Sequence, residues 1–144
     1  MEVKISTKTE AYIALQNNTL YYKNFSESLK NNHKVTIAAL LSYNGYLIWD
    51  EIPEKLFDDK DFINEVLSFK YNSLLNVFYK ASDKIKDDEE LVCKAFEISP
   101  KITKVISDRL KDDEEFMLKL IQHDKKYSKN DYYKSCLESE NYYI

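Results

Sequence analysis

Carboxylate pairs are the residues in this chain whose type and spacing most invite chemistry. Asp58-Asp59, Asp87-Asp88 and Asp112-Asp113 each precede a second polar pair, Lys60-Asp61, Glu89-Glu90 and Glu114-Glu115. Neighbouring acids can hold a divalent cation or divide general-acid and general-base roles. An EF-hand calcium loop also needs a glycine and acids spaced through the loop, and the chain's one glycine, Gly45, lies in none of these segments. The acids have an equally physical structural use. At a helix start a carboxylate accepts bonds from backbone N–H groups that lack helical partners and complements the dipole, worth about 1 kcal/mol. With the first Asp of each pair as N-cap, Asp61, Glu90 and Glu115 fall at N3 in a capping-box-like arrangement. Asn31 and Thr7 stand at the equivalent positions of two weaker copies and are also good caps. A metal site would not accept that exchange, so the acids are read as caps and no cofactor or metal is expected.

The other reactive groups are sparse. His33 and His123 are the imidazoles, and Cys93 and Cys136 are the thiols. The cysteines have no zinc-type spacing and are too few for a disulfide scaffold. His33 falls beside a predicted cap, and His123 near the end of a helix, where the dipole favours a protonated ring. Cys93 reads as a small, partly buried apolar residue. No nucleophile elbow, metal triad or glycine-rich phosphate loop is present. The chain is therefore expected not to be an enzyme; acids converging from separate repeats are the remaining route to catalysis.

Those acids sit inside a repeat. Ile52 to Asp61, Ala81 to Glu90 and Ile106 to Glu115 share one pattern: an aliphatic anchor, one spacer, two acids, then a charged pair. Phe25 to Lys34 is a degraded copy, and a fainter one surrounds Ile5. The anchors Ile5, Leu29, Leu56, Ile85 and Leu110 are 24, 27, 29 and 25 residues apart. After the anchors come Phe62, Ile63, Val66, Leu67, then Leu91, Val92, Ala95, Phe96, then Phe116, Met117, Leu120, Ile121. Their offsets are those of an amphipathic helix, and each stripe buries three or four large side chains at roughly 1.5–3 kcal/mol apiece. In the Leu29 copy, Val35, Ala39 and Leu40 keep the stripe and Thr36 weakens it. Ile102, Val105 and Ile106, like Leu74, Val77 and Phe78 and like Tyr133, Cys136 and Leu137, mark a second, shorter helix. Ser99-Pro100 supplies an N-cap followed by proline at the first helical position. The expected fold is all-α: a compact, short α-solenoid-like stack of helix-turn-helix repeats, about four to five units of 24–29 residues, in a single domain spanning 1–144.

Asp58-Asp59-Lys60-Asp61, Asp87-Asp88-Glu89-Glu90 and Asp112-Asp113-Glu114-Glu115, with the small pair Ala81-Ser82 before one anchor, resemble the tandem short helical repeats of the domain of unknown function numbered 4116. The resemblance runs over roughly residues 25–124 and departs at Asn31-Asn32 and in the longer Leu56–Ile85 spacer. It implies a repeat fold, with no established activity and no functional residues to carry over.

Composition narrows the partner. The net charge of −4 argues against a general nucleic-acid binder. Of 21 basic residues, 20 are Lys and one is Arg109, which removes most bidentate phosphate or carboxylate recognition. The N-terminus lacks a signal-type apolar stretch, and Val35 to Trp49, the greasiest segment, is too short and too interrupted to span a bilayer. A soluble, cytoplasmic protein with no membrane partner is expected. The conspicuous excess is aromatic: 12 Tyr, seven Phe and one Trp. Tyr21, Tyr22, Tyr43, Tyr46 and Trp49 cluster early, and a Tyr/Lys-rich segment covers 125–144. Within it Lys125, Lys126, Tyr127, Lys129, Tyr132 and Tyr133 interleave cations with rings, a pattern that can bind single strands by phosphate attraction and stacking. Tyr and Trp also anchor protein interfaces. The leading expectation is a non-enzymatic protein-interaction module, a small trans-acting adaptor or inhibitor such as a mobile-element or viral protein blocking a host complex. Nucleic-acid or nucleoprotein binding through the Lys/Tyr segments is the alternative.

Overall fold

The computed structural model describes residues 4–123, and it is all-α. Nine α-helices, interspersed with 3-10 turns, are found among the described residues: α1 (Lys8–Asn17), α2 (Glu27–Lys30), α3 (His33–Leu41), α4 (Lys60–Ser68), α5 (Asn76–Tyr79), α6 (Asp83–Lys86), α7 (Glu89–Ile98), α8 (Asp108–Lys111) and α9 (Glu114–His123). The chain divides into two compact units, Met1–Phe62 and Ile63–Ile144, with the division inside α4. No described helix is long and apolar enough to cross a membrane.

A common local grammar builds the copies. Leu29, Ile85 and Leu110, three of the anchors, each sit in a one-turn helix and are buried. A serine three residues earlier caps that turn, accepting from the anchor's own N–H: Ser26 from Leu29 at 3.3 Å, Ser82 from Ile85 at 3.4 Å, Ser107 from Leu110 at 3.3 Å. In the Leu56 copy the same position holds Pro53, which has no hydroxyl to offer. That turn accordingly lacks a side-chain cap and is 3-10, Glu54–Asp58.

A longer helix follows, and here the structure corrects the register of the caps. The capping residue is the second member of each polar pair. Asn32 accepts from Val35 N–H at 3.1 Å, Asp59 from Phe62 at 3.2 Å, Asp88 from Leu91 at 3.0 Å and Asp113 from Phe116 at 2.9 Å. The first member, Asn31, Asp87 or Asp112, instead ends the preceding one-turn helix. The reason lies in the backbone. One residue must intervene so that the cap's own N–H can reach the anchor carbonyl, as Asn32 does on Leu29, Asp59 on Leu56, Asp88 on Ile85 and Asp113 on Leu110, at 3.0–3.2 Å. N3 is then apolar, so no Asp-x-x-Glu capping box forms. Thr7 caps α1 as expected, accepting from Glu10 N–H at 3.2 Å.

Counted from these caps, the buried stripe is the expected one. Phe62, Ile63, Val66, Leu67, Leu91, Val92, Ala95, Phe96, Phe116, Met117 and Leu120 are all buried, and Ile121 is half-buried. Two expectations shift. Ile5 is no helical anchor: it forms an isolated parallel bridge with Phe25, donating to Asn24 O at 2.9 Å and accepting from Ser26 N–H at 2.8 Å. The predicted second helices are shorter than their spacing suggests. Ser99 caps and Pro100 opens a 3-10 turn, Pro100–Lys104, that buries Ile102 and Thr103, while Leu74, Val77 and Phe78 span a 3-10 turn, Asn72–Leu75, running into α5.

Because one Asp of each pair caps and its neighbour does not, the two alanine substitutions should separate. Asp113→Ala is expected to cost about 1 kcal/mol, and Asp112→Ala only a few tenths. Chemical denaturation of the two variants checks the ranking.

Candidate functional site

Among the paired aspartates, Asp59, Asp88 and Asp113 are engaged in structure as caps, and Asp87 in a junction between copies. Asp59 uses one oxygen as a cap and the other, Oδ2, to meet His33 Nε2 at 2.9 Å; the imidazole stands edge-on to Phe62 with centroids 5.5 Å apart. Burial works to raise the Asp59 carboxyl, but the Phe62 N–H, the His33 hydrogen bond and charge, and the Asp61 N–H outweigh it and hold the group below its ordinary range. The sign of the pH effect follows. A depressed folded-state pKa gives a contribution that is whole above the unfolded value of about 3.9 and is lost as pH falls through the lower folded value. His33→Ala is expected to move the Asp59 titration midpoint upward, towards that unfolded value, as read from its carboxyl carbon by NMR.

Asp87 does not start a helix. Its Oδ1 accepts from Ser107 Oγ at 2.5 Å and from Arg109 Nε at 2.8 Å, and its carbonyl accepts from Arg109 Nη2 at 3.0 Å. The Ser107 bond, then the Arg109 bond, holds the Asp87 carboxyl below its usual range. Ser107 N–H also donates to Lys86 O at 3.0 Å. The chain's one arginine thus fastens consecutive copies, each bond tying the α6 end to the α8 start. An open pocket of about 340 Å³ beside this junction is lined by Asp83, Lys86, Val105, Ile106, Ser107 and Asp108. Its one hydroxyl, Ser107 Oγ, is taken up by Asp87 Oδ1 and by the Leu110 N–H.

Cys93 is half-buried in α7, and burial pushes its thiol up, away from the thiolate form a nucleophile needs. Among the described residues no group of three or more His, Cys, Asp or Glu is placed to hold a metal ion.

The aromatic cluster separates into core and surface. Tyr22 is fully buried; its hydroxyl lies 2.7 Å from Thr36 Oγ1, which donates to Lys30 O at 2.7 Å. This is why Thr36 can occupy a stripe position, and burial raises the Tyr22 phenol above its ordinary value. Trp49 is buried near Phe57, centroids 6.4 Å apart, with its Nε1–H unpaired. Tyr21, Tyr43 and Tyr46 face solvent, Tyr43 at 95% and Tyr46 at 67% exposure. They are joined on the first unit by exposed Tyr12, Ile13, Leu20, Leu41 and Leu47, which sequence reasoning missed. Ile13 and Tyr12 follow the buried Ala11 and precede the buried Ala14 and Leu15, so the off-stripe phase of α1 was the available signal. Lys125, Lys126, Tyr127, Lys129, Tyr132 and Tyr133 lie outside the described residues.

One residue sets the turn that carries Tyr43 and Tyr46. Gly45 N–H donates to Ser42 O at 2.9 Å, and a Cβ on Gly45 would stand 2.1 Å from Leu40 O and 2.6 Å from Leu40 C. The turn lies directly on the backbone at the end of α3.

Residues 88–130, covering α7 through α9, match the family described as "Domain of unknown function (DUF4116)", the family that the Asp-Asp repeats resemble. Comparison with curated proteins and with solved structures gives no match.

Proposed function

We infer that this chain is a non-enzymatic protein-interaction module, its helical copies serving as a scaffold and its first unit offering the contact face. The observation that carries the reading is the set of exposed tyrosines and aliphatics on α1, the 3-10 turn Thr19–Asn24, the end of α3 and the turn around Gly45. Interface centres are depleted in charge and enriched in aromatic side chains. Residues 11–24 and 41–48 hold one charged residue, Lys23, in a chain that is 32% charged. Phosphate binding would need cations there, so a protein surface fits this face better than a nucleic acid. Of the recurring acids, Asp59, Asp88 and Asp113 are occupied as caps and Asp87 as a clasp, which leaves fewer of them for catalysis.

The test is position-specific photocrosslinking in the native host. A photoreactive residue at Tyr43 or Tyr46 should form a protein adduct that one at Lys84 does not. Equal labelling at all three positions, or none at the first two, overturns the reading.

A further inference from the structure

α1 and α7 are the same part of two copies, residue for residue. Thr7 caps one and Asp88 the other, and both helices run ten residues. Asn18 and Ser99 close them, donating to Ala14 O and Ala95 O. Upstream, Ile5 O accepts from the Ser26 N–H as Lys86 O does from the Ser107 N–H. Buried Ala11, Ala14 and Leu15 stand where α7 buries Val92, Ala95 and Phe96. What α7 meets therefore indicates what the matching positions of α1 are placed to meet.

One side of α7 meets the copy before it. Lys94, six residues past its cap, donates to Asn64 Oδ1, and Asn64 stands five residues past the Asp59 cap of α4. Glu97, a turn further along the same side, lies 3.9 Å from Lys70 Nζ, just beyond the end of α4. The pairing of fifth with sixth recurs at the following junction. Cys93 is fifth past Asp88, Lys119 is sixth past Asp113, and the Lys119 charge acts on the Cys93 thiol. Asn64, Cys93, Lys94 and Glu97 are all half-buried.

That pairing leaves two positions without a counterpart among the described residues: the sixth of α1 and the fifth of α9. They are Ile13 and Leu118, 55% and 48% exposed. Gln16, at the place of Glu97, is exposed on the side of Ile13. The outer faces of a helical-repeat stack are ordinarily polar, which keeps its ends apart. Here the order is inverted. The matched positions are Asn64 with Lys94 and Cys93 with Lys119, whereas the two unmatched ones are aliphatic.

From this we propose that chains associate head to tail, the Ile13 side of α1 in one molecule seating against the Leu118 side of α9 in the next. The contact repeats between molecules the junction that joins α4 to α7 within one, and it brings together two different surfaces. The Tyr43 turn takes no part in it, so the crosslinking result at that turn stands or falls separately.

Sedimentation equilibrium of the purified full chain tests it, with a mass that rises above the monomer as concentration increases. Ile13→Lys places on α1 the residue that α7 carries at the same position. That variant and Leu118→Lys should each weaken association at least about tenfold, with the helical circular dichroism unchanged. Mixed in equal amounts, the two variants should associate again and stop at the dimer, because one intact Leu118 side and one intact Ile13 side remain between them. A chain that is monomeric at every concentration, association that either variant leaves unchanged, or a mixture that stays monomeric overturns the proposal.

Discussion

Gly45→Ala is expected to destabilise the first unit by roughly 3 kcal/mol or more, at the top of the range for overpacking a tight site. The cause is space, since no glycine in this chain has positive φ. A methyl group on Gly45 would stand 2.1 Å from Leu40 O, 2.6 Å from Leu40 C and 2.9 Å from Ala39 O. All three are backbone atoms at the end of α3, so no side chain can swing aside. Relief requires lifting the 45–47 turn off the helix, which breaks the bonds from Gly45 N–H to Ser42 O and from Ile48 N–H to Gly45 O. It would also drag the buried Ile48 and Trp49 from their places. Thermal unfolding followed by circular dichroism should show a fall in Tm of roughly 10 °C. A fall under about 2 °C, which corresponds to less than 1 kcal/mol in a domain of this size, would mean that the close approach is not rigid. Serine at the same place should be no milder, because it adds the same Cβ.

The stripe of α4, α7 and α9 was legible because its four apolar positions obey one periodicity in all three copies. Phe62, Leu91 and Phe116 open it, and all are buried. Which acid begins the helix was not legible, since either Asp of a pair has the chemistry of a cap. The choice is made by a bond invisible in the sequence, from the cap's N–H to the anchor carbonyl. A sequence signal did exist: Ser26, Ser82 and Ser107 all stand three residues before an anchor. Recognising them as caps fixes the one-turn helix, and its length pushes the next cap to the second acid. For Ile5 no such serine exists, and the segment pairs with Phe25 in an extended bridge. The aromatic cluster divided for the same kind of reason. Tyr21 and Tyr22 are adjacent on a 3-10 turn, so opposite faces of one element send one ring to solvent and the other to Thr36. Neighbours in sequence share no surface when the turn between them rotates by a third of a circle.

Phe96→Ala should produce a loss of the same order in the second unit, about 3–5 kcal/mol. Phe96 lies on the buried stripe of α7 at 1% exposure, the last of the four positions counted from the Asp88 cap. Its helix is packed by the 3-10 turns Asn72–Leu75 and Pro100–Lys104 and by α6. Truncation therefore removes a whole phenyl ring from a helix enclosed by several short elements. Two of these have their own caps, Ser82 for α6 and Ser99 for the Pro100 turn, and are held in place by them. Collapse into the cavity would have to break such bonds, so the void term should stay large rather than relax away. Leu118→Ala is the control: Leu118 is 48% exposed on the outer side of α9, and its loss should stay within about 0.5 kcal/mol. Phe96→Leu, which keeps more of the volume, should fall between the two. Urea denaturation of the three variants orders them. If Phe96→Ala matched Leu118→Ala, the stripe would not be what holds α7, and the assignment of the copies to packed helices would lose its energetic basis.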